Sequence, residues 1–431
     1  MVGQNGRRVA IVAGCRTPFA KSGTVFKDLS AVELARLAAR ELLVRTEVAP
    51  AEIDEVVFGQ VIPSVLAPNV AREVSLLPQL PRDVPAYSLN RACSSSSQAV
   101  VAAHDQIVLG HADVVVAGGT ESLSDIPILH SRRFADLLVQ ASKAKSLGKR
   151  LATLARTRPR DLVPVTPAIA EPSTGETMGQ SAEKMAKENG ISRQAQDEFT
   201  LRSHRLAAQG TADGRLTAEI APVFVPPDYR PAVSSDNGIR ADSTLEQLAA
   251  LRPVFDRRYG TVTAANASPL TDGAAAVLVM SADAAHALGY PPLAYVRSYA
   301  VAAVDPGEQL LMGPAFAVPK ALERAGIAWS ELGLVEMHEA FASQVLSNIQ
   351  AFESDIFARE RLGRGERVGE VNWDTLNVMG GSLAIGHPFG ATGARLTITL
   401  ANEMGRRDVQ FGLISICAQG GMGFAMVLER R

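Results

Sequence analysis

Cys93 lies in a sequence context that suits a nucleophile. A strand-like run at residues 85–89 ends just before it, and a helix-like run at residues 94–109 begins just after it. A thiol at a helix N-terminus feels the positive end of the helix dipole, which lowers the thiol pKa and favours the reactive thiolate. We therefore expect an activated thiol, with the serine hydroxyls at 94–97 bonded to free backbone N–H groups of the first turn. A buried structural cysteine would explain this local pattern equally well.

A glycine-rich segment near the C-terminus holds a second group that could do chemistry. Residues 380–393 read Gly-Gly-Ser-Leu-Ala-Ile-Gly-His-Pro-Phe-Gly-Ala-Thr-Gly. Glycines permit tight turns and close approach of the backbone to a ligand, and Pro388 restricts the chain directly after His387. A histidine held in this way can serve as a general base, although a turn with a hydrogen-bonded structural histidine is an alternative. The segment is not a phosphate-binding loop, because no Gly-Lys-Ser/Thr follows.

Two further segments carry reactive side chains. Residues 338–341 read His-Glu-Ala-Phe and begin like a zinc-protease helix, but residue 342 is alanine where that motif requires a second histidine. Cys417 ends an apolar run and enters a glycine turn at residues 420–423. Taken singly, each of these segments is better explained by structure than by catalysis.

The elements that position these residues alternate between apolar strands and amphipathic helices. Continuous apolar strands between helices indicate a sheet covered on both faces, and hence a layered α/β fold. The patterns of the first half predict strands at 9–14, 55–58, 85–89 and 112–117 and helices at 30–44 and 94–109. Those of the second half predict strands at 293–302, 334–337, 375–378 and 412–417 and helices at 317–325 and 392–404.

The two halves repeat the same order of elements, which predicts a duplicated α/β unit with the active site between the halves. A Leu-Asn pair precedes corresponding turns in both halves, so that Gly380 falls opposite Cys93. Residues from about 124 to 250 are rich in charge, proline and short helical pieces, which indicates a loop domain inserted into the first half, and long insertions are usually functional. The predicted divisions are the N-terminal half at 1–123 with about 251–285, the inserted domain at about 124–250, and the C-terminal half at 286–431.

The composition limits the classes of function. The net charge of -2 gives no general reason to expect binding to nucleic acid or to a membrane. Three cysteines without a CxxC pair argue against a disulfide scaffold and a cysteine zinc site, and they are typical of a reducing compartment. We expect neither a secretory signal nor a transit peptide, because the first strand is predicted near residue 8. No apolar run reaches the ~18–20 residues of a membrane span, and we therefore expect a cytoplasmic protein.

In combination, the four reactive segments resemble the thiolase family. That family is marked by a nucleophilic cysteine near residue 90, an Asn/His-Glu-Ala-Phe segment, a Gly-His-Pro segment and a final Cys-x-x-Gly-Gly-x-Gly, in the order seen here. Residues 16–19, 117–122 and 266–275 also look like thiolase segments, so that the resemblance covers nearly the whole chain. His338, in place of the commoner asparagine, resembles the subgroup that forms the thiolase subunit of multienzyme fatty-acid oxidation complexes.

The resemblance implies a fold and a reaction. The fold is a thiolase-like duplicated α/β unit, with a five-layered α-β-α-β-α core and an inserted loop domain. The reaction is transfer of an acyl group from a 3-ketoacyl-CoA to CoA in fatty-acid β-oxidation, with release of acetyl-CoA through an acyl-enzyme on Cys93. A biosynthetic acetoacetyl-CoA thiolase would use the same residues in the opposite direction, and a non-catalytic lipid-binding or scaffold member is a remote alternative. A ketosynthase shares the fold, but Cys417 argues against it.

The resemblance also implies a role for each site residue. Cys93 is the nucleophile, His387 takes its proton and helps to stabilise the developing oxyanion, and Cys417 moves the proton at the α-carbon of acetyl-CoA. His338 orients a water or donates directly at one oxyanion site, and the backbone N–H groups of Cys93 and Gln419 form a second. Gln419 replaces the family's usual glycine, which changes the local shape but keeps the backbone donor.

Coenzyme A and acyl-CoA are the substrates that the resemblance implies, and we expect no metal or other cofactor. Ser268 matches the family serine near the pantetheine, and Met178 and Phe341 match residues that line the thioester pocket. Thr177 stands where many members have histidine, and Pro269 stands where glycine is usual, so no contacts are carried over at these two positions.

The expected partners are a second copy of the chain and a hydratase/dehydrogenase subunit of a β-oxidation complex. Thiolases are homodimers or tetramers of dimers, so the resemblance implies at least a homodimer of 45.6 kDa subunits. Residues 130–160 combine leucines at roughly helical spacing with a concentration of basic residues. A basic amphipathic helix of this kind can dock to an acidic partner or lie peripherally on an anionic membrane. A solvated helix whose charges aid binding of the CoA phosphates is the alternative.

Overall fold

The structure is a computed structural model that describes residues 6–165 and 169–431. Its strands are β1 Val9–Arg16, β2 Ala20–Lys21, β3 Glu55–Gly59, β4 Ala86–Leu89, β5 Val114–Glu121, β6 Thr271–Ser281, β7 Ala294–Ala303, β8 Leu334–Met337, β9 Phe411–Ala418 and β10 Met422–Glu429. Its α-helices are α1 Ala31–Thr46, α2 Val70–Ser75, α3 Ser95–Leu109, α4 Arg132–Lys143, α5 Leu147–Leu154, α6 Met178–Glu188, α7 Arg193–Ala212, α8 Leu245–Ala249, α9 Ala282–Ala287, α10 Gly313–Ala325, α11 Ala342–Phe352, α12 Asp355–Leu362, α13 Ser382–Ile385 and α14 Thr392–Arg407.

The strands pair into a continuous sheet whose order shows the duplication. Hydrogen-bonded neighbours follow the order β4-β3-β5-β6-β1-β7-β10-β9-β8, and β2 pairs with β6. At the two outer ends the pairs are parallel, β3 with β4 and β5, and β8 with β9, whereas the pairs between them are antiparallel. The part from β4 to β1 and the part from β7 to β8 meet through a short pairing of Ala10 and Ile11 with β7.

Side chains on opposite faces of the strands enter different hydrophobic clusters, which produces five layers. Along β5, Val115 and Ala117 join the cluster that contains α3 and α14, while Val114 and Val116 join the cluster around α1 and α2. This alternation follows from the two-residue period of a strand. In β10, Phe424 joins the α3–α14 cluster, and the next residue joins the cluster of α10 and α11. The order helix, sheet, helix, sheet, helix confirms the predicted α/β fold, with α3 and α14 at its centre.

Residues Ile126–Ala170 form a compact unit of their own. Helices α4 and α5 lie in this unit and pack on each other. α4 ends at Lys143, and the side chain of Ser146 caps the start of α5. The single helix predicted over residues 130–160 is therefore wrong, because a serine cap begins a second helix within it. The boundaries assigned to the inserted domain stay a prediction.

Three strands were not predicted from the sequence, namely β2, β6 and β10, and one predicted strand did not form. β2 has only two residues, and β6 is rich in small residues, which carry little strand signal, yet all of β6 is buried. The predicted strand at 375–378 is reduced to a bridge between Leu376 and Val335. The chain turns there because Asn377 adopts a φ of 44° and its side chain bonds the backbone of Met337. Among the helices of the described ranges, none has the length and apolar character needed to cross a membrane.

Candidate active site

Cys93 follows a tight turn between β4 and α3. Ala92 precedes it with a φ of 45°, in the left-handed region that costs an L-residue about 1 kcal/mol or more. The N–H of Ala92 donates to Asn90 Oδ1 at 2.9 Å, and the hydroxyl of Ser95 donates to the carbonyl of Ala92 at 2.7 Å. The hydroxyl of Ser94 likewise donates to a carbonyl of the same turn. These two serines therefore hold the strained turn. The prediction that their hydroxyls bond backbone N–H groups of the first helical turn is wrong for both.

His387 reaches the site from the loop between α13 and α14. Its Nδ1 lies 2.7 Å from Thr392 Oγ1, and that hydroxyl lies 3.2 Å from the carbonyl oxygen of Pro388. A hydroxyl has one proton, and if it donates that proton to the carbonyl, it must accept from Nδ1–H of the histidine. This network assigns His387 the tautomer whose Nε2 is unprotonated and able to take a proton.

His338 follows β8, and its Nδ1 lies 3.0 Å from Ser382 Oγ. The same oxygen accepts a hydrogen bond from the guanidinium of Arg395 at 3.2 Å. With that donor on its oxygen, the hydroxyl is free to direct its own proton to His338 Nδ1, which leaves the histidine's proton on Nε2. We assign His338 this tautomer, which suits a hydrogen-bond donor better than a base.

The side chains of Cys93, His338 and His387 converge at one place. One potential ligand atom from each lies within 4.8 Å of the other two, and the two imidazole centroids are 4.1 Å apart. Both histidines are buried, and in the described part of the chain neither Nε2 has a hydrogen-bond partner. An unpartnered buried polar atom costs about 1–3 kcal/mol, so the two nitrogens mark a space that a polar ligand would fill.

The environment of the Cys93 thiol differs from the expectation based on the helix dipole. Burial raises the pKa of this thiol to about 12, and the backbone N–H groups of Gln419 and of Cys93 itself act in the opposite direction. The thiol is therefore not acidified in the resting site, because desolvation outweighs the dipole and the two donors. The same N–H groups face the sulfur from the turn after β9 and from the turn before α3. They would stabilise negative charge that develops there.

The two histidines are neutral in the resting site. Burial, and after it the charge of Arg395, lowers the pKa of His387 to about 3. Burial, followed by His387 and Arg395, lowers the pKa of His338 well below its usual value. The resting pair of Cys93 and His387 is thus a thiol beside an imidazole and not an ion pair. Transfer of the thiol proton must accompany attack on the substrate.

Cys417 is the second thiol of the region. It lies at the end of β9, opposite Gly423 of β10, and is buried. Burial raises the pKa of its thiol well above the usual value, and Cys93 raises that pKa further. Cys417 is therefore a protonated group close to Cys93, suited to giving and recovering a proton.

The residues expected to contact the substrate border the same region. Phe341 belongs to the hydrophobic cluster that includes Cys417, and Met178, the first residue of α6, packs against that cluster. Ser268 donates its backbone N–H to the carbonyl of Ala340 at 2.9 Å, which joins the segment before β6 to the segment that carries His338. These contacts place the three residues beside the segments that carry Cys417 and His338, and their contact with the substrate stays a prediction.

Comparison with known proteins decides the family. Residues 9–283 match the model of the thiolase N-terminal domain, and residues 290–430 match that of the thiolase C-terminal domain. The chain belongs to the thiolase family. It is 51% identical over 429 residues to the 3-ketoacyl-CoA thiolase of Yersinia pestis (strain Pestoides F), and the match covers 100% of this chain and 98% of that relative.

Solved thiolase structures are similar to the chain over its whole length. The Bacillus anthracis acetyl-CoA acetyltransferase has a TM-score of 0.83 and 35% sequence identity, with 98% of each chain covered. Human mitochondrial 3-ketoacyl-CoA thiolase in complex with CoA has a TM-score of 0.81 and 32% identity, again with 98% of each chain covered. The protein is therefore a thiolase-family acyltransferase.

This thiolase site depends on buried residues that the sequence motifs did not mark as functional. Thr392 and Arg395 lie on α14 and, together with Ser382, set the orientation of the two histidines. Glu121 ends β5, and its carboxylate accepts three backbone N–H groups, including that of Gly390 in the His387 loop. The sequence did offer one signal for Glu121 and Arg395. Each is a charged residue in an element that is otherwise largely buried, and a buried charge is rare without a specific partner.

Proposed function

We propose that the protein is a 3-ketoacyl-CoA thiolase that acts in fatty-acid β-oxidation. The observation that carries this proposal is the convergence of Cys93, His338 and His387, with two backbone N–H groups facing the sulfur of Cys93. The name of the Yersinia relative supports this substrate class, and the human neighbour solved with CoA supports coenzyme A as the acyl acceptor. The proposal assigns no metal or other cofactor to the reaction.

In the first half-reaction, Cys93 attacks the 3-keto carbon of the substrate and passes its proton to Nε2 of His387. The oxyanion that forms accepts a hydrogen bond from Nε2–H of His338. The bond between C2 and C3 then breaks, and the acyl group stays on Cys93 as a thioester. Cys417 gives its proton to the α-carbon of the departing acetyl-CoA, so that no free carbanion is released.

In the second half-reaction, the thiol of an incoming CoA gives its proton to the thiolate of Cys417. The CoA sulfur attacks the acyl-enzyme, and the backbone N–H groups of Cys93 and Gln419 hold the second oxyanion. The thiolate of Cys93 leaves and recovers its proton from His387. Every proton moved in the first half-reaction is thus returned or replaced in the second.

A biosynthetic acetoacetyl-CoA thiolase is the second candidate, because the Bacillus anthracis acetyl-CoA acetyltransferase shares the fold at a TM-score of 0.83. The same residues would then condense two acetyl-CoA molecules. Steady-state thiolysis of 3-ketoacyl-CoA substrates, from acetoacetyl-CoA to long-chain members, separates the two. Efficient thiolysis of long chains supports β-oxidation, whereas activity confined to acetoacetyl-CoA supports the biosynthetic role.

The control for this assay uses the third free cysteine. Cys15 is buried, and its thiol donates to the carbonyl of Ala38 at 3.3 Å, away from the site. Cys93→Ser should abolish thiolysis at every chain length, while Cys15→Ser should keep it. A wild-type protein without thiolysis or condensation would instead indicate a non-catalytic lipid-binding or scaffold member.

We also propose that the unit Ile126–Ala170 is a docking surface for an anionic membrane or a hydratase/dehydrogenase partner. Its exposed apolar side chains include Leu138, Val139 and Leu151. The unit also carries basic residues that make no ion pair within the described ranges, namely Lys143, Lys145, Lys149 and Arg150. Apolar area beside unpaired positive charge is typical of surfaces that bind anionic lipids. A role for these charges in binding the CoA phosphates is the alternative.

Charge reversal tests the docking surface. Glutamate replaces the four unpaired basic residues of the unit, and vesicle co-sedimentation, partner pull-down and thiolysis are measured separately. The control reverses four exposed basic residues outside the unit, namely Lys27, Arg82, Arg359 and Arg364. Loss of either binding in the first variant supports docking, and unchanged binding in both assays contradicts it. A raised KM for CoA with unchanged binding indicates the phosphate role.

We propose a cytoplasmic setting, because the three cysteines are free thiols.

A further inference from the structure

The converging side chains of the active site also meet the requirements of a transition-metal site. Cys93 offers a thiolate sulfur, and His338 and His387 each offer an imidazole nitrogen, with one such atom of each within 4.8 Å of the other two. One sulfur and two nitrogens are a donor set that Zn²⁺ prefers. We propose that Zn²⁺ binds to Cys93, His338 and His387 and thereby inhibits the enzyme reversibly.

The hydrogen bonds of the two histidines show which atoms would bind the metal. Nδ1 of His338 lies against Ser382 Oγ, and Nδ1 of His387 lies against Thr392 Oγ1, at 3.0 and 2.7 Å. Both Nε2 atoms are buried and, within the described residues, lack a partner. They are therefore the nitrogens left for a ligand. Nε2 of His387 is already unprotonated, and Nε2 of His338 can bind a metal once its proton has moved to Nδ1.

The surroundings of the histidines are those of metal ligands. A ligating histidine usually has its second nitrogen held by another group, which fixes the ring, and Ser382 and Thr392 hold these rings. Cys93 is the partly exposed member of the three.

The geometry allows three protein ligands and one open position. Tetrahedral Zn²⁺, with bonds of about 2.3 Å to sulfur and about 2.0–2.1 Å to nitrogen, places its ligand atoms roughly 3.3–3.6 Å apart. The sulfur and the two nitrogens lie within 4.8 Å of one another, so shifts of about an ångström bring them to these separations. A water would fill the fourth position. The guanidinium of Arg395 donates to the same Ser382 hydroxyl that holds His338, and its positive charge opposes the cation, so the site binds more weakly than one without that charge.

Binding is an exchange of a proton for a metal ion. The S–H bond of Cys93 breaks, a bond between its sulfur and the metal forms, and the thiol proton goes to solvent. The proton on Nε2 of His338 moves to Nδ1, where Ser382 Oγ accepts it, and no electron is transferred. The bound metal occupies the nucleophile and Nε2 of the base, so it blocks acylation. An acyl group on Cys93 removes the thiolate ligand, so acylation in turn excludes the metal.

Cobalt provides a spectroscopic test that does not depend on activity. Co²⁺ and Zn²⁺ are titrated separately into the intact protein without CoA, whose own thiol would bind them. We expect one ion per chain by calorimetry and a thiolate-to-cobalt charge-transfer band in the near ultraviolet. Cys93→Ser should lose the band, and His338→Asn and His387→Asn should each weaken binding by at least about tenfold, as loss of groups at a metal site does.

Two other cysteine variants serve as controls. Cys417→Ser and Cys15→Ser should keep the band and the stoichiometry, because these thiols are outside the three-ligand group. Prior acylation of Cys93 should prevent binding, and thermal unfolding without metal checks that each variant is folded. No charge-transfer band in the wild-type protein, or a band that survives in Cys93→Ser, overturns the proposal. Thiolysis in metal-free buffer is independent of all these outcomes, so the proposed function stands or falls separately.

Discussion

Cys93 and His387 are both neutral in the resting site because both are desolvated. Burial raises the pKa of the thiol to about 12 and lowers that of the imidazole to about 3. An ion pair would therefore be less stable than the neutral pair before substrate binds. The N–H groups of Gln419 and Cys93 are already oriented toward the sulfur, so charge is stabilised when it develops.

The depressed pKa of His387 predicts a loss of stability in acid. Below the unfolded pKa of about 6.5, the unfolded chain takes up a proton that the folded protein does not, until the pH falls to the folded pKa of about 3. The free energy of unfolding should therefore fall by about 1.4 kcal/mol per pH unit across this window from His387. In His387→Gln the slope should be shallower by about one proton, measured by urea unfolding at several pH values.

His204 provides a control for the acid effect. Burial lowers the pKa of this residue of α7 to about 4, and its Nδ1 accepts the N–H of Arg240. His204→Gln should reduce the same slope but keep thiolysis, whereas His387→Gln should lose thiolysis. An unchanged slope in His387→Gln would contradict a lowered pKa for His387 in the folded protein.

Glu121 should position the His387 loop. Its carboxylate accepts N–H groups from Val61, Ile62 and Gly390 at 3.0–3.1 Å. Glu121→Ala leaves these donors unpaired, which costs about 3 kcal/mol if each contributes about 1 kcal/mol. We expect kcat to fall at least tenfold, because Gly390 belongs to the loop that holds the base. Thiolysis kinetics and urea unfolding measure the two effects.

The opposite end of β5 provides the control for Glu121. Asp54 accepts the N–H groups of Asp113 and Val114 at 2.7 and 2.9 Å, at the start of the strand. Asp54→Ala should lower stability while kcat is kept. Equal losses of kcat in both variants would mean that β5 has a general structural role and that Glu121 has no particular effect on the His387 loop.

At the scale of elements, the contact of α3 with α14 fixes the distance between nucleophile and base. α3 begins two residues after Cys93, and α14 begins five residues after His387. The hydroxyl of Ser96 on α3 accepts the N–H of Ala394 on α14 at 2.8 Å. A bond between the first turns of both helices therefore joins the segments that carry the two reacting groups.

A methyl group between these helices should separate them. A Cβ at Gly393 would lie 2.3 Å from Ser97 Oγ and 2.6 Å from the Ser97 backbone nitrogen. Gly393→Ala should therefore cost about 1–3 kcal/mol of stability and lower kcat, because Cys93 and His387 move apart. Gly405, on the same helix, has no atom within 4 Å of such a Cβ. Gly405→Ala should stabilise the protein by about 0.5–1 kcal/mol with unchanged kcat. Thermal unfolding and kinetics compare the two variants, and an unperturbed Gly393→Ala would contradict the argument.

The sequence predicts an element where local pattern and tertiary environment agree. The apolar run of β5 between two helices predicts a buried strand, and the turns around Cys93 and His387 can be located from their glycines and their reactive side chains. β6 was missed because its small residues acquire strand character from the strands that pair with it, chiefly β1 and β5. The thiol pKa was mispredicted because burial in the folded protein raises it, and that burial cannot be read from the local helix.

For the whole molecule, the family resemblance predicts an assembly of at least two chains. The active-site units of thiolases pack at the dimer interface, so separation of the subunits should disturb the site. Light scattering during gel filtration should give at least twice the 45.6 kDa mass of one chain. Specific activity should fall on dilution to the point where dimers dissociate. A fully active monomer would contradict this prediction.

The acyl-enzyme provides the most direct test of the central claim that Cys93 carries the acyl group. The protein is mixed with a 3-ketoacyl-CoA, quenched in acid and digested, and the peptides are weighed by mass spectrometry. The mass of the acyl group should appear on the Cys93 peptide and not on the Cys417 peptide. Cys417→Ala, given a simple acyl-CoA donor, should still become acylated at Cys93, because acyl transfer from that donor needs no proton at an α-carbon. An acyl group on Cys417, or thiolysis that continues in Cys93→Ser, would contradict the account.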